Sequence, residues 1–157
     1  MHVQSDVCII GDGAIGKAAA LGFAQAGLKV ALLSPASAPV PAPKEDWDVR
    51  VYAVNHVAHA LLSSVKVWEA LDASRVAPVD AMVVNGDGAT AGELAFDAYG
   101  ARVGALAWIV EDRNLNQALD AALKFASNVK VIHGRASALQ ASDTAASVQL
   151  ANGDTLG

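Results

Sequence analysis

The chain has 157 residues, of which 54% are hydrophobic and 17% charged. That is a globular composition that argues against disorder and suits one domain with a core of its own. A net charge of −5, a pI of about 5.2 and the lack of a Lys/Arg cluster argue against nucleic acid as a partner.

Cys8 is the sole cysteine, so there is no intrachain disulfide and no thiol metal site, and a reducing cytosol fits. His2, His56, His59 and His133 form no ligand pattern; His56 and His59 at i, i+3 lack an evident third ligand. Met1 is followed at once by His2, Gln4 and Asp6, which is no signal peptide. No run of about 18 uncharged apolar residues is present, so no transmembrane helix is expected; peripheral membrane contact stays open.

"SDVCII" (Ser5–Ile10) reads as a short buried strand, apolar and β-branched, ending at Gly11. Ala14–Ala26 is helical in pattern. Ile15, Ala18, Ala19, Leu21, Gly22 and Phe23 are expected on its packing side, with Gly27 as the C′ glycine. "LKVALL" (Leu28–Leu33) predicts a second buried strand, which completes a right-handed βαβ unit with parallel strands. "SPASAPVPAP" (Ser34–Pro43) holds four of the five prolines and predicts an extended surface loop, either a connector or a functional segment.

"VRVYAV" (Val49–Val54) alternates weakly. "NHVAHALLSSVKVWEAL" predicts one or two helices with Asn55 as N-cap. "DAMVVNGDG" and "GELAFDAYG" predict two strands joined by a glycine-rich turn. "LAWIVEDRNLNQALDAALKFA" predicts a short strand and a helix from about Asp112, with Leu115, Leu119, Ala122, Leu123 and Ala126 as its apolar stripe. "VKVIHG" predicts another strand, and "ASVQLANGDTLG" a last strand and turn. The first forty or so residues and the section from Asp112 to Leu150 read as one α/β layer. The section from about Asp80 to Ala107 reads as antiparallel and suits a second layer.

"GDGAIGKA" (Gly11–Ala18) carries the chemistry, and it fits two patterns. As G-x-G-x-x-G it opens a dinucleotide-binding unit; as G-x-x-x-x-G-K it is one residue short of a P-loop. A P-loop needs a hydroxyl after its lysine for Mg²⁺, and Ala18 has none; Asp12 would also repel a triphosphate. Small residues at Gly16, Ala19 and Ala20 and the strand that follows on schedule favour the dinucleotide. Gly11 then permits the tight turn, Gly13 lets the backbone approach the pyrophosphate, and Gly16 lets helix and strand pack closely. The helix N-terminus faces the anion. Lys17 is expected as an exposed first-turn residue.

The second strand ends at Ser34, where such sites carry Asp or Glu for the ribose hydroxyls. Losing that carboxylate costs on the order of tenfold in affinity. Ser34 keeps one ribose hydrogen bond in part; a decayed cofactor site is the alternative.

Four stretches carry a resemblance: "DVCIIGDGAIGKAAALGFAQAGLKVALL", "DVRVYAVNHVAHALLSSVKVWEAL", "GELAFDA" and "WIVEDRNLNQAL". In this order the chain resembles the N-terminal portion of the FAD-dependent aromatic-ring hydroxylases of ubiquinone biosynthesis, the Ubi-type hydroxylases. The second stretch is the most telling: Arg50, then Ala53, then a helix ending in V-W-x-x-L. The resemblance implies an α/β fold, a Rossmann-like FAD-binding domain of the glutathione-reductase type with a parallel sheet. Residues 1–157 would be its N-terminal FAD-binding region, with about 80–107 giving strands to an antiparallel substrate layer.

It also implies a reaction: flavin reduced by NADPH reacts with O₂, and a phenolic ring with a polyprenyl tail is hydroxylated. The implied partners are that substrate and other ubiquinone-biosynthesis proteins. The implied location is the cytoplasm, with a peripheral place at the inner membrane open.

By position, Gly11, Gly13 and Gly16, with Ala14 and Ile15 between them, would take the pyrophosphate, and Ser34 the ribose. Arg50 would lie near the FAD phosphates or the flavin edge, or else form a surface salt bridge with Asp48. Arg113 would reach FAD from the helix start, or stand as a solvated first-turn charge. Asn116 and Gln117 are weaker candidates. Backbone at Arg135–Ala136 would flank the adenine.

The family pattern continues past "ANGDTLG" with A-D-G and G-D-A-A-H segments that this sequence lacks. The expectation is an N-terminal fragment or a truncated relative with at most half a flavin site. A non-catalytic dinucleotide-binding module and a nicotinamide-dependent oxidoreductase are the competing readings.

Overall fold

The computed structural model describes residues 2–35, 46–88 and 90–157. In chain order the elements are β1 (His2–Val3), β2 (Val7–Ile10), α1 (Ala14–Gln25), β3 (Val30–Ser34), β4 (Val51–Val54), α2 (His56–Ser64) and two single 3₁₀ turns (Trp68–Ala70 and Ala73–Arg75). They continue with β5 (Val76–Val79), β6 (Ala81–Asn85), β7 (Glu93–Asp97), β8 (Ala107–Glu111), α3 (Asp112–Phe125), β9 (Val129–His133), β10 (Ala136–Ala141), β11 (Ala146–Leu150) and β12 (Thr155–Leu156). Most of the proline-rich stretch, read from sequence as an extended loop, lies outside the described residues. The chain divides into two compact units, Met1–Asp46 with Asn116–Gly157, and Trp47–Leu115.

The first unit is built on a parallel sheet ordered β2-β3-β9. β3 is central and buried along its whole length, as a continuous apolar run requires. Its side chains alternate between two faces. On one face Ala31 and Leu33 join Val3, Ile132, Val148, Leu150 and Leu156 in a core roofed by a second sheet, β1-β12-β11-β10. On the other face α1 packs against β3.

Two expectations need correction here. "SDVCII" is only half-buried, and Ile10 is 57% exposed, because β2 borders the sheet. The buried side of α1 is Lys17, Ala20 and Leu21, an i, i+3, i+4 stripe. Ile15 and Phe23, expected on the packing side, are 87% and 42% exposed. Of the six residues expected on the packing side only Leu21 is buried, and the buried face carries Lys17, whose ammonium reaches the Asp120 carboxylate.

α1 closes as its sequence demands. Gly27 takes φ +87°, its N–H donates to Ala24 O (2.9 Å), and Leu28 N–H donates to Phe23 O (3.1 Å). This paired closure needs the left-handed residue that glycine supplies. Asn128 Nδ2 donates to Ala24 O and Leu28 O and pins the corner from the approach to β9.

The second unit holds an antiparallel sheet ordered β4-β8-β5 and the hairpin β6–β7. Asn55 caps α2 through its side chain, which accepts from Ala58 N–H at 2.9 Å. α2 ends with the same paired closure as α1, except that Lys66 takes the left-handed position at φ 63°. Trp68, Trp108, His56 and His59 form one ring cluster, with His59 stacked on Trp108 at 4.5 Å between centroids.

Candidate functional site

The glycine turn between β2 and α1 requires glycine at 11 and at 16, and leaves open space at Gly13. Gly11 sits at φ +114°, open only to glycine without strain, and its N–H donates to Leu33 O at 2.9 Å. A β-carbon on residue 16 would collide with the Gly11 carbonyl oxygen and stand 3.5 Å from Ile9 Cγ2. Gly16 is what lets the helix start this close to the strand. A β-carbon on Gly13 would meet nothing within 4 Å. Gly13 is also the N-cap of α1, in extended conformation, and no side chain caps the helix. The N–H groups of Ala14, Ile15 and Gly16 therefore end the helix without intrahelical partners.

This arrangement suits the pyrophosphate of a dinucleotide: bare backbone on the open side, an uncapped positive helix end, and no acidic residue in the first turn of α1. It does not suit a P-loop. Lys17, expected to be exposed, is 8% exposed, and its Nζ binds Asp120 Oδ1 at 2.8 Å and donates to Asn116 Oδ1 at 3.0 Å. Its aliphatic stem is buried while its charge is spent on α3.

Asp12, inside the turn, takes a defined place. Ser34 Oγ at the end of β3 donates to Asp12 Oδ2 at 2.5 Å and lies 3.3 Å from Pro35 O. Ser34 is buried, at 5% exposure, whereas Asp12 is half-buried. The serine that stands where an acid is expected thus holds an acid contributed by the preceding turn. On the same edge, Ser34 pairs with His133, and its carbonyl accepts from Gly134 N–H at 2.8 Å. Ala136 follows as an exposed residue opening β10, beside an irregularity in the β10–β11 register.

Gly11, Gly13, Ala14, Ile15, Gly16, Ser34 and Ala136 all belong to the first unit; Arg50 and Arg113 belong to the second. Within that unit the two arginines share Asp48. Arg50 N–H donates to Asp48 Oδ1 and Arg113 N–H to Asp48 Oδ2, each at 3.0 Å. The Arg50 N–H, followed by that of Arg113, holds the Asp48 carboxyl below the usual carboxylate range. Arg50 O accepts from Asp112 N–H at 2.9 Å, and Tyr52 Oη donates to Asp112 Oδ1 at 2.7 Å, which pushes the Tyr52 phenol up. Asp48, Asp72 and Asn55 each bond a backbone N–H two or three residues on, a signal readable in sequence. The bond from Asp48 to residue 113 has no such local signal. Gln117 is exposed, and Asn116 serves Lys17.

No protein-family model matches the chain. The 3-demethoxyubiquinol 3-hydroxylase of Escherichia coli (strain K12) is 32% identical over 154 residues, which is 97% of this chain and 39% of that protein. The Ubi-type resemblance holds. The ubiquinone hydroxylase UbiM of Neisseria meningitidis is 26% identical over 162 residues, 99% of this chain and 34% of that protein. The chain thus spans well under half the length of these Ubi-type relatives. Both are hydroxylases, hence oxidoreductases. The crystal structure of the flavin-dependent monooxygenase PieE, in complex with FAD and substrate, superposes on 98% of this chain with a TM-score of 0.70, at 15% identity and over 29% of its own length. The α/β fold with parallel and antiparallel sheets is thus shared with the matching part of that structure. Among the described residues no helix is long and apolar enough to cross a membrane.

Proposed function

We propose that this chain is the FAD-binding part of a flavin-dependent monooxygenase that hydroxylates a ubiquinone precursor. The observation that carries this is the glycine turn: Gly11 at φ +114°, Gly16 with no room for a β-carbon against Gly11, and Gly13 opening an uncapped helix start. Similarity to ubiquinone hydroxylases along nearly the whole chain supports the same reading. The fold would be the Rossmann-like, glutathione-reductase type. In this reading Gly11, Gly13, Ala14, Ile15 and Gly16 hold the pyrophosphate, Ser34 lies at the ribose, and backbone at Ala136 flanks the adenine. Arg50 and Arg113 are FAD contacts on the strength of the resemblance alone.

The bound flavin supplies the redox and oxygen chemistry, with NADPH as electron donor and O₂ as co-substrate. This chain's residues bind and orient the dinucleotide end. The substrate is a phenol carrying a polyprenyl tail, which suits a cytoplasmic protein working at the inner membrane face beside other ubiquinone-biosynthesis proteins. The test is to purify the protein from its complete reading frame and record its absorbance. Flavin bands, present as isolated or after FAD is added, are expected. A protein that stays colourless in excess FAD refutes the proposal.

A further inference from the structure

The end of β3 lacks the carboxylate that normally receives the adenosine ribose hydroxyls. We infer that Asp12, held by Ser34, takes over that acceptor role, so that the site's acid has moved from the strand end into the glycine turn. This rests on the proposed dinucleotide function.

Three features support it. The residues are 22 apart in sequence, yet Ser34 Oγ and Asp12 Oδ2 are 2.5 Å apart, at the short end of charge-assisted O–H···O⁻ bonds. Ser34 is nearly fully buried, so its hydroxyl is fixed in place, while Asp12 remains half-exposed. The acceptor count also suits a vicinal diol. A carboxylate offers about four lone-pair sites, and one serine bond occupies one of them. The Ser34 proton goes to Asp12, not to the more distant Pro35 carbonyl at 3.3 Å, and its oxygen keeps acceptor capacity. The Asp12 carboxylate, with only one of its lone-pair sites taken by Ser34, can receive both ribose hydroxyls on its two oxygens.

The bond also answers the electrostatic objection to an acid in a phosphate-binding turn. The Asp12 carboxylate is tied to the end of β3, whereas the uncapped N–H groups belong to the start of α1. Ser34 acts as a positioning residue and Asp12 as the ligand-binding one. An anionic acceptor here would also reject a ribose carrying a 2′-phosphate, by like-charge repulsion.

Isothermal titration of the protein from its complete reading frame tests this with two probes. One is FAD; the other is an FAD analogue whose adenosine ribose lacks both hydroxyls. The wild type should bind FAD roughly tenfold or more tightly than the analogue, the worth of a hydrogen bond to a charged acceptor. Asp12→Asn should weaken FAD by about that factor and leave the analogue unchanged, erasing the preference. Ser34→Ala should weaken FAD severalfold. Ser34→Glu in the Asp12→Asn background should restore the preference.

If Asp12→Asn binds FAD as well as the wild type, or more tightly, Asp12 is a bystander or a repulsive group and the inference is overturned while the proposed function stands. If wild-type protein binds no FAD, the proposed function falls and the inference with it. Far-UV circular dichroism checks folding. Should Asp12→Asn unfold, the two probes on wild type and Ser34→Ala decide the matter, because unchanged preference in Ser34→Ala overturns the positioning role.

Discussion

Gly16→Ala is the substitution whose cost follows most directly from the structure. A β-carbon at residue 16 would overlap the Gly11 carbonyl oxygen and stand 3.1 Å from the Gly11 carbonyl carbon. Carbon–oxygen contacts settle near 3.3–3.6 Å, so the gap must open by about 1 Å or more. Neither side gives cheaply, since both colliding atoms are backbone. Gly11 is moreover tied by its N–H to Leu33 O at 2.9 Å and held at φ +114°. Overpacking of this kind costs about 1–3 kcal/mol, and replacing a helical glycine returns only about 0.5–1 kcal/mol. The net loss is between about 0 and 2.5 kcal/mol, or up to roughly 10 °C in Tm for a domain of this size.

Gly22→Ala in the same helix is the control: its β-carbon would meet nothing within 4 Å, so only the propensity gain of about 0.5–1 kcal/mol remains. Far-UV circular dichroism melts are the assay, because they follow the loss of helix directly. If Gly16→Ala melts with Gly22→Ala, above the wild type, the tight approach of turn and helix is wrong, and the geometric case for the dinucleotide goes with it.

In the second unit, Arg75→Ala should destabilise by about 3 kcal/mol, because Glu111 keeps a nearly buried carboxylate (7% exposed) after losing the guanidinium at 2.9 Å. Arg75→Met with Glu111→Leu should regain most of that in urea unfolding followed by tryptophan fluorescence; a double variant no better than the single one contradicts the assignment. Asp48 makes its contribution when ionised, since its folded pKa lies below the ordinary value of about 3.9. That contribution is complete above the unfolded pKa and fades as pH falls through the folded one. The Tm gap between wild type and Asp48→Asn should be constant above about pH 5 and narrow below about pH 4; a gap that widens on acidification contradicts the assigned direction.

What the sequence made legible was local. Gly27, Asn55 and the apolar run of β3 announce a left-handed closure, a cap and a strand buried on both faces through their own residue types. What it concealed was set by neighbours. β2 has the composition of a buried strand and is half-exposed because it borders the sheet. β5 carries a proline, Pro78, yet a strand paired on one side only tolerates a missing N–H. Lys66 closes α2 in the position where glycine is expected, so no glycine marks the end. The packing face of α1 shares only Leu21 with the face its apolar residues predict, because Lys17 counts as surface until Asp120, on another helix, is placed beside it.

The same limit applies to the serine at the end of β3, and there it changes the functional reading. Judged by itself, position 34 lacks an acid, and position 12 holds an acid where phosphate should come. Each residue alone argues against a dinucleotide. Joined by a 2.5 Å bond, the two residues place one carboxylate at the end of β3, which is the acceptor the inferred ribose contact would use. Such a turn has to be judged together with the strand end, because the two share one hydrogen bond between side chains 22 residues apart.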